Sequence, residues 1–573
     1  AAPGGADALA LLQVSASRQP DALSAALVER ETPRRPWGQA RHAKAAALAD
    51  GAVISALAVP KVYRGDALGS GFFATVARTL PVGPVVVVIA VALVTVLLGS
   101  SVHKNSPEQA ARNVYVTVNF VLVLNYTIVI LDSYDMCATL SMSEADSGRM
   151  VGNYMFGFCF GAACMWRLTL GMPDMWRHAA PKAILVGLMF QAVGAVAYAV
   201  IAVRATAIAQ SADFANIPFG VYEALFAMRS TGRMPTILMA SRFVAGFGSG
   251  WCQQFYVTAQ LHLTPVQERP EHTGRWVFSG MLAIGLGPMV ASILQMIEPE
   301  RGVAPDFVPV GFAQMMVIVG ALGAVVLYHP DLSEVEDHMS EAGGSGGALG
   351  LLLPEENASI RRVLIIGCLL MGMLRGFGVA AVEVVMASLL EDKFHWDQRA
   401  TGVMIGGVFL CCIPLKVVHK TVGTRLTVAQ WIRLLSATAI LGCSLLYSQT
   451  CQFLQGVVNV SCAGTLVVAG VVLFPTFYLG ESLACGTMHQ HVLPAGSVFD
   501  GNHCQLYYNI AQGLGRFFGP WTSRFVVQIA GQNSFAMQQM GICILFVFIF
   551  ESAVKPAMET DKHHSPLRGS SPG

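Results

Sequence analysis

From residue 80 onward the chain alternates long apolar runs with short polar connections. The runs fall at residues 80–100, 113–138, 149–170, 181–203, 235–259, 275–297, 307–328, 362–390, 400–418, 427–448, 463–487, 504–528 and 535–554. Nearly all reach the roughly 20 residues that a helix needs to cross a bilayer core, so each reads as a transmembrane helix. The stretch from Pro81 to Leu93 holds no polar group. It needs only lipid around it and reads as an extra span, peripheral to the rest. Almost every later run carries Gly, a polar residue or a charge, as helices do when they pack on one another or line a wet space.

Setting the first run aside leaves twelve, divided by one long polar connector from Asp331 to Ser359, acidic and then Gly-rich, ahead of Arg361 and Arg362. The expected organisation is a disordered Ala-rich arm over 1–78 and an extra helix with its linker over 79–112. A six-helix half over 113–330, a cytosolic linker over 331–360, a second six-helix half over 361–556 and a disordered tail over 557–573 follow. The fold class is all-α, a polytopic membrane protein of six plus six helices. Connections bearing Arg167, Arg177, Lys182, Arg269, Arg275, Lys420 and Arg425 carry the larger share of basic residues, which puts them, and both ends of the twelve-span unit, in the cytosol.

Composition agrees. Of 573 residues 54% are hydrophobic and 12% charged, about half the charge of a soluble domain. Lys plus Arg (36) balances Asp plus Glu (35), which leaves no field to hold nucleic acid. Most of the 13 cysteines lie in apolar runs and read as small buried side chains. Cys451 and Cys462 bracket an outer loop and either close a bridge in an oxidising lumen or stay free.

Charges and glycines inside the runs carry the candidate chemistry. In the fourth of the twelve, Arg242 precedes Gly246, Gly248 and Gly250. Gly246 and Gly250 share a face that admits a neighbouring backbone, and Arg242 either faces a cavity or snorkels to the outer headgroups. The fifth holds Gly285-Leu-Gly287-Pro288 and the eleventh Gly519-Pro520, a matching element that bends each helix and lets it pack closely. Arg375 lies deep in the seventh, and Glu383 two turns on is either a proton carrier or a membrane-edge Glu. Asp132 and Asp135 share a face near the outer end of the first, as an entrance pair or as solvated rim residues. Glu481 of the tenth and Arg516 of the eleventh are placed to form a buried pair.

The stretch from Arg242 to Pro288, with Arg-x-x-x-Gly-x-Gly-x-Gly, the loop Leu263-Thr-Pro-Val-Gln-Glu-Arg269 and Gly-Leu-Gly-Pro, resembles helices four and five of the major facilitator superfamily. The likeness extends more loosely from Val114 to Lys555. The usual Gly-x-x-x-Asp-Arg-x-Gly-Arg loop after helix two is altered, since Gly161-Ala-Ala-Cys-Met-Trp-Arg167 lacks the Asp. Tyr126 to Met136 is similar to the first helix of SPX-MFS vacuolar phosphate transporters, and Gly515 to Pro520 to the lysosomal ceroid-lipofuscinosis branch. The resemblance implies a lysosome- or vacuole-like membrane.

Secondary active transport of a small solute by alternating access is therefore expected. Arg242 and Arg375 would offer positive charge to an anion, and Glu383, Asp132 or Asp135 would carry the coupling proton. A transporter-derived scaffold or receptor, favoured by the missing Asp, is the alternative. No ATP-binding or nucleophile motif stands in a supporting context, so an enzyme, a cofactor and a metal are not expected. The partners expected are a solute, a proton or other ion, and lipid, with the chain a monomer.

Overall fold

In this computed structural model the residues described are 106–172, 174–211, 233–265, 268–297, 306–335, 355–493 and 496–564. The expected arm, the extra span at 80–100 and most of the 331–360 connector lie outside them. The rest is a succession of long helices. They are α1 (Pro107–Thr127), α2 (Glu144–Gly171), α3 (Ala180–Ser211), α4 (Arg233–Leu263), α5 (Arg269–Ile297) and α6 (Val308–Tyr328). After the connector come α7 (Glu355–Ser388), α8 (Gln398–Leu410), α9 (Val428–Ser444), α10 (Cys462–Gln490), α11 (501–530) and α12 (532–549).

Local chemistry sets the boundaries. The Ser106 hydroxyl accepts from Gln109 N ahead of Pro107, and Ser143 with Asp146 and Thr427 with Gln430 form reciprocal caps for α2 and α9. Asp500 accepts from His503 N at the start of α11. α11 and α12 run together except at Gly531, whose φ of 77° breaks the helix. Ser523 Oγ lies 2.9 Å from Gln538 Oε1, a contact between residues 15 apart that a continuous helix would hold over 20 Å from each other, so the chain folds back at the glycine.

Seven helices among the described residues are long and apolar enough to cross a bilayer, nine when two bent pairs are each counted as one span. One of those spans joins α11 and α12. The bent pairs are α1 with Asp132–Thr139, at 45°, and α9 with Ser448–Val458, at 82°. α2 and α4 are as long but more polar, because Ser147, Arg242, Gln253 and Gln254 are buried against other helices and never meet lipid. Within the first half α2 packs on α4, α4 on α3, α3 on α6, and α1 on α5; within the second, α7 packs on α10 and on the α11–α12 hairpin. The halves meet through α2 on α11 and α5 on α8.

Glycine makes the tightest of these seams. A Cβ on Gly157 or Gly161 of α2 would overlap the carbonyl of Phe243 or Phe247, and one on Gly246 or Gly250 of α4 would overlap that of Tyr154 or Phe158. Gly248 faces Gly187 of α3 instead. Gly285 faces Phe409 and Gly406 of α8, Gly287 faces Thr127 of α1, and Gly519 faces Phe377 of α7. Pro288 and Pro520 turn their carbonyls toward Gly402 of α8 and Gly148 of α2, so both Gly-Pro elements lie on the seams between the halves.

Three boundaries differ from expectation. α1 starts at Pro107, where a linker to 112 was expected, because Ser106 and Pro107 form a helix start. α7 begins at Glu355, within the expected linker. Beyond α12 the helix continues through Lys555–His564, where a disordered tail was expected from 557. Asp561 explains that extension, since it pairs with Arg361 at 2.9 Å and His491 at 3.6 Å.

Candidate functional site

A cavity lies between the halves, lined by α1, α2, α4, α5, α10 and α11 and open at a mouth. Its wall is largely aromatic, with Tyr126, Tyr154, Phe158, Trp276, Tyr478 and Tyr508, and is varied by Asn119, Ser249, Gln253 and Gln512. Glu481 and Arg516 are the charged groups on the wall. They come together at 3.8 Å, and Gln512 Nε2 and Tyr508 OH donate to the other oxygen of Glu481. Several wall groups are already committed to structure. Tyr154 OH donates to Leu122 O, Asn119 is held by Tyr256, Ser279 and the Trp276 carbonyl, and Gln253 reaches Asn509. The Tyr126 hydroxyl is buried without a hydrogen-bond partner.

Glu383 is wholly buried on α7, and neither carboxyl oxygen has a hydrogen-bond partner. It interacts electrostatically with Tyr126, Tyr478 and Arg516, all of them cavity residues.

Arg242 and Arg375, expected at the solute, do not line this cavity. Arg242 NH2 donates to Tyr126 O at 3.0 Å and NH1 reaches Asn125 O at 3.5 Å, with its guanidinium over the Tyr154 ring at 4.8 Å. Those carbonyls belong to the last turn of α1, just before the chain breaks at 128–131. Arg242 therefore acts as a C-cap, a cation at the negative end of a helix. Arg375 sits inside the second half, 3.5 Å from Ser436 Oγ and 3.7 Å from the centre of the Phe546 ring.

Asp132 is also buried and stands on the seam. Its Oδ1 accepts from Gln295 of α5 at 2.8 Å and, across the halves, from Gln398 of α8 at 3.2 Å. Asp135, one turn on, is half-buried. A second cross-half contact escaped the sequence reading. Arg524 of α11 is 1% exposed and donates to Ser147 of α2 and, at 3.4 Å, to Ser133 beside Asp132. The available signal was its charge near the end of an apolar run, which reads equally as a rim residue.

These contacts form a layer on one side of the cavity. Along α2, Gly148 and Gly152 meet α11 before the cavity residues Tyr154 to Phe158 are reached, and along α11 the matching Phe517, Pro520 and Arg524 come after Tyr508 to Arg516. On the other side the halves touch through side chains, with Asn509 Nδ2 2.9 Å from Gln254 Oε1, Lys416 Nζ 3.0 Å from Gly274 O, and Trp166 on His503. One seam is backbone against backbone and the other a few polar contacts.

Cys451 and Cys462 form a disulfide, with Cα atoms 5.1 Å apart, across the α9–α10 connection.

No family model matches the chain, and no curated protein matches it. Solved structures do. A D-xylose–proton symporter is 13% identical over 78% of this chain and 98% of that one, with a TM-score of 0.52. The E. coli xylose transporter XylE, in a partially occluded inward-open conformation, is 13% identical over 78% and 97%, also at 0.52. The nucleoside transporter NupG is 13% identical over 78% and 99%, at 0.48. The chain is a multi-pass membrane protein with the fold of the major facilitator transporters.

Proposed function

We propose that the protein is a secondary transporter that moves a small solute across a membrane by alternating access, with Glu383 carrying a coupling proton. The observation that carries this reading is the cavity itself, at the seam of the two halves, with contact layers on both sides that can part in turn. Glu383 suits proton transfer because its carboxyl is buried with no hydrogen bond to fix its charge state. Arg242 and Arg375 are assigned to holding their own halves together.

The Cys451–Cys462 disulfide supports an orientation in which the α9–α10 connection faces an oxidising compartment, the lumen or the cell exterior. The basic connections then face the cytosol, as their charge favours. A lysosome- or vacuole-like membrane is proposed from the sequence resemblance, and a monomer from the two halves completing the cavity within one chain.

The test is solute flux into proteoliposomes holding the full chain, screened over solutes with and without an imposed pH gradient. Accumulation that follows the gradient is expected for wild type, with exchange but no accumulation for Glu383→Gln. Specific solute binding without flux under any gradient would overturn the transport reading in favour of a receptor.

A further inference from the structure

We infer that the seam at Asp132 holds a small monovalent cation of the sodium class, bound between Asp132, Ser292 of α5 and Thr401 of α8. The site lies in the contact layer and not in the cavity, and it stands whether or not the protein transports a solute. Its basis is three oxygens left without a partner. Asp132, Ser292 and Thr401 are each 0% exposed, and Asp132 Oδ2, Ser292 Oγ and Thr401 Oγ1 have no hydrogen bond. A Ser or Thr inside a helix commonly donates to a carbonyl one turn back, as Ser133, Ser279, Thr465 and Thr476 do here, and these two hydroxyls do not. Buried oxygens that forgo their bonds cost stability and call for a ligand.

The three residues belong to one place. Asp132 Oδ1 accepts from Gln295 at 2.8 Å and from Gln398 at 3.2 Å, which joins α5 and α8 at the carboxyl. Ser292 and Thr401 stand one turn from those glutamines along the same helix faces. A Cβ on Gly402 would meet Ser292 Oγ, the Leu131 side chain and the Pro288 carbonyl, so the chain neighbours of Thr401 and Asp132 close on Ser292. Charge selects the occupant. Asp135 and Asp306 face Asp132 from half-buried positions and add to its sign. Arg524 donates to Ser133 and Ser147 and is itself faced by Glu144, Glu391 and Asp392, so its charge does not offset the carboxyls of this layer. A carboxylate with two hydroxyls is an all-oxygen set that suits a hard cation, whose shell carbonyl or water oxygens complete. One positive charge balances Asp132, whereas a second would stand uncompensated in a buried place. Because Thr401 belongs to the second half, the bound cation fastens the two halves together on this side.

The experiment uses the purified full chain in nanodiscs, with binding of radioactive sodium and thermal melts in sodium chloride against choline chloride at equal ionic strength. Wild type is expected to bind sodium saturably and to melt about 2 °C or more higher in sodium than in choline. Asp132→Asn should abolish the binding. Thr401→Val, close in shape, should weaken it about tenfold and remove most of the difference between the salts. Should Asp132→Asn not fold, Thr401→Val and Ser292→Ala still decide. A hydroxyl that was merely buried without a ligand would behave otherwise, since Thr401→Val would then melt no lower than wild type in both salts and leave the sodium difference unchanged. That outcome would overturn the inference, as would the absence of saturable sodium binding in wild type, binding that survives all three substitutions, or a larger rise in calcium than in sodium.

Discussion

Single charges in this protein take their meaning from what their helix happens to face. Arg242 is the clearest case. In the last turn of α1, where the chain breaks at 128–131, the Tyr126 carbonyl takes its donor from Arg242 of α4, and the Asn125 carbonyl takes donors from Arg242 and from Gln314 of α6. Arg242→Ala and Arg242→Met should each lower folding stability by about 2 kcal/mol, the scale of a charged hydrogen bond plus a helix-end interaction, while Arg242→Lys should lose less. Thermal melts of the solute-free protein check this, since a residue that only contacts solute would leave them unchanged. The sequence made it legible that Arg242, Arg375, Glu383 and Arg516 are costly to bury and so have work to do. It did not show which way each one points, because helix rotation follows from packing and not from local pattern. Glu481 and Arg516 could be paired from depth alone. Arg524 could not be separated from a rim residue, since its Ser133 and Ser147 partners are polar but uncharged and leave no mark in a hydropathy pattern.

The helices were the most legible part of the fold, because a long apolar run in a bilayer has few alternatives to a helix. Ends were less so. The start of α7 and the run to His564 depend on polar contacts such as Arg361 with Asp561, which periodicity does not report. Glycine spacing was informative beyond expectation, since Gly246 and Gly250 find matching glycines on α2 and the seam closes in both directions. This gives a sharp expectation for Gly250→Leu. A leucine there must push back the backbone of α2 at Phe158, and the cost should exceed the about 1–3 kcal/mol typical of overpacking, because no side chain can yield in its place. Folded yield in size-exclusion chromatography should fall steeply. Gly407→Leu on α8, where a Cβ would meet nothing within 4 Å, should leave yield near wild type. Equal losses at both positions would mean that helix propensity or lipid contact decides, and not the α2–α4 seam.

At the scale of the whole molecule the two contact layers differ in kind, and the difference predicts which one yields first. On the Asp132 side, Gly148 and Gly152 bring α2 onto the backbone of α11, Arg524 reaches into the opposite half, and Asp132 accepts from Gln398. On the other side the halves are joined by a few polar contacts, among them Asn509 with Gln254 at 2.9 Å between α11 and α4. Each such bond is worth only about 1 kcal/mol net, so that side should open with less expense than the close-packed one. The alternating-access cycle proposed above nevertheless requires the Asp132 layer to part once per turn of the cycle. Cysteines at Asp132 and Gln398, with exposed Cys164 and half-exposed Cys411 replaced by serine, should accept a short bis-methanethiosulfonate cross-linker, which attaches through reducible disulfides, since the native side-chain ends stand 3.2 Å apart. Cross-linking should abolish net flux and leave solute binding from the opposite side intact, and reductant should restore flux. Each single-cysteine variant treated with the same reagent should keep transporting, which separates locking of the halves from damage to Asp132. Unimpaired flux through the cross-linked pair would mean that the halves do not separate at this seam, and that the solute takes another path through the molecule.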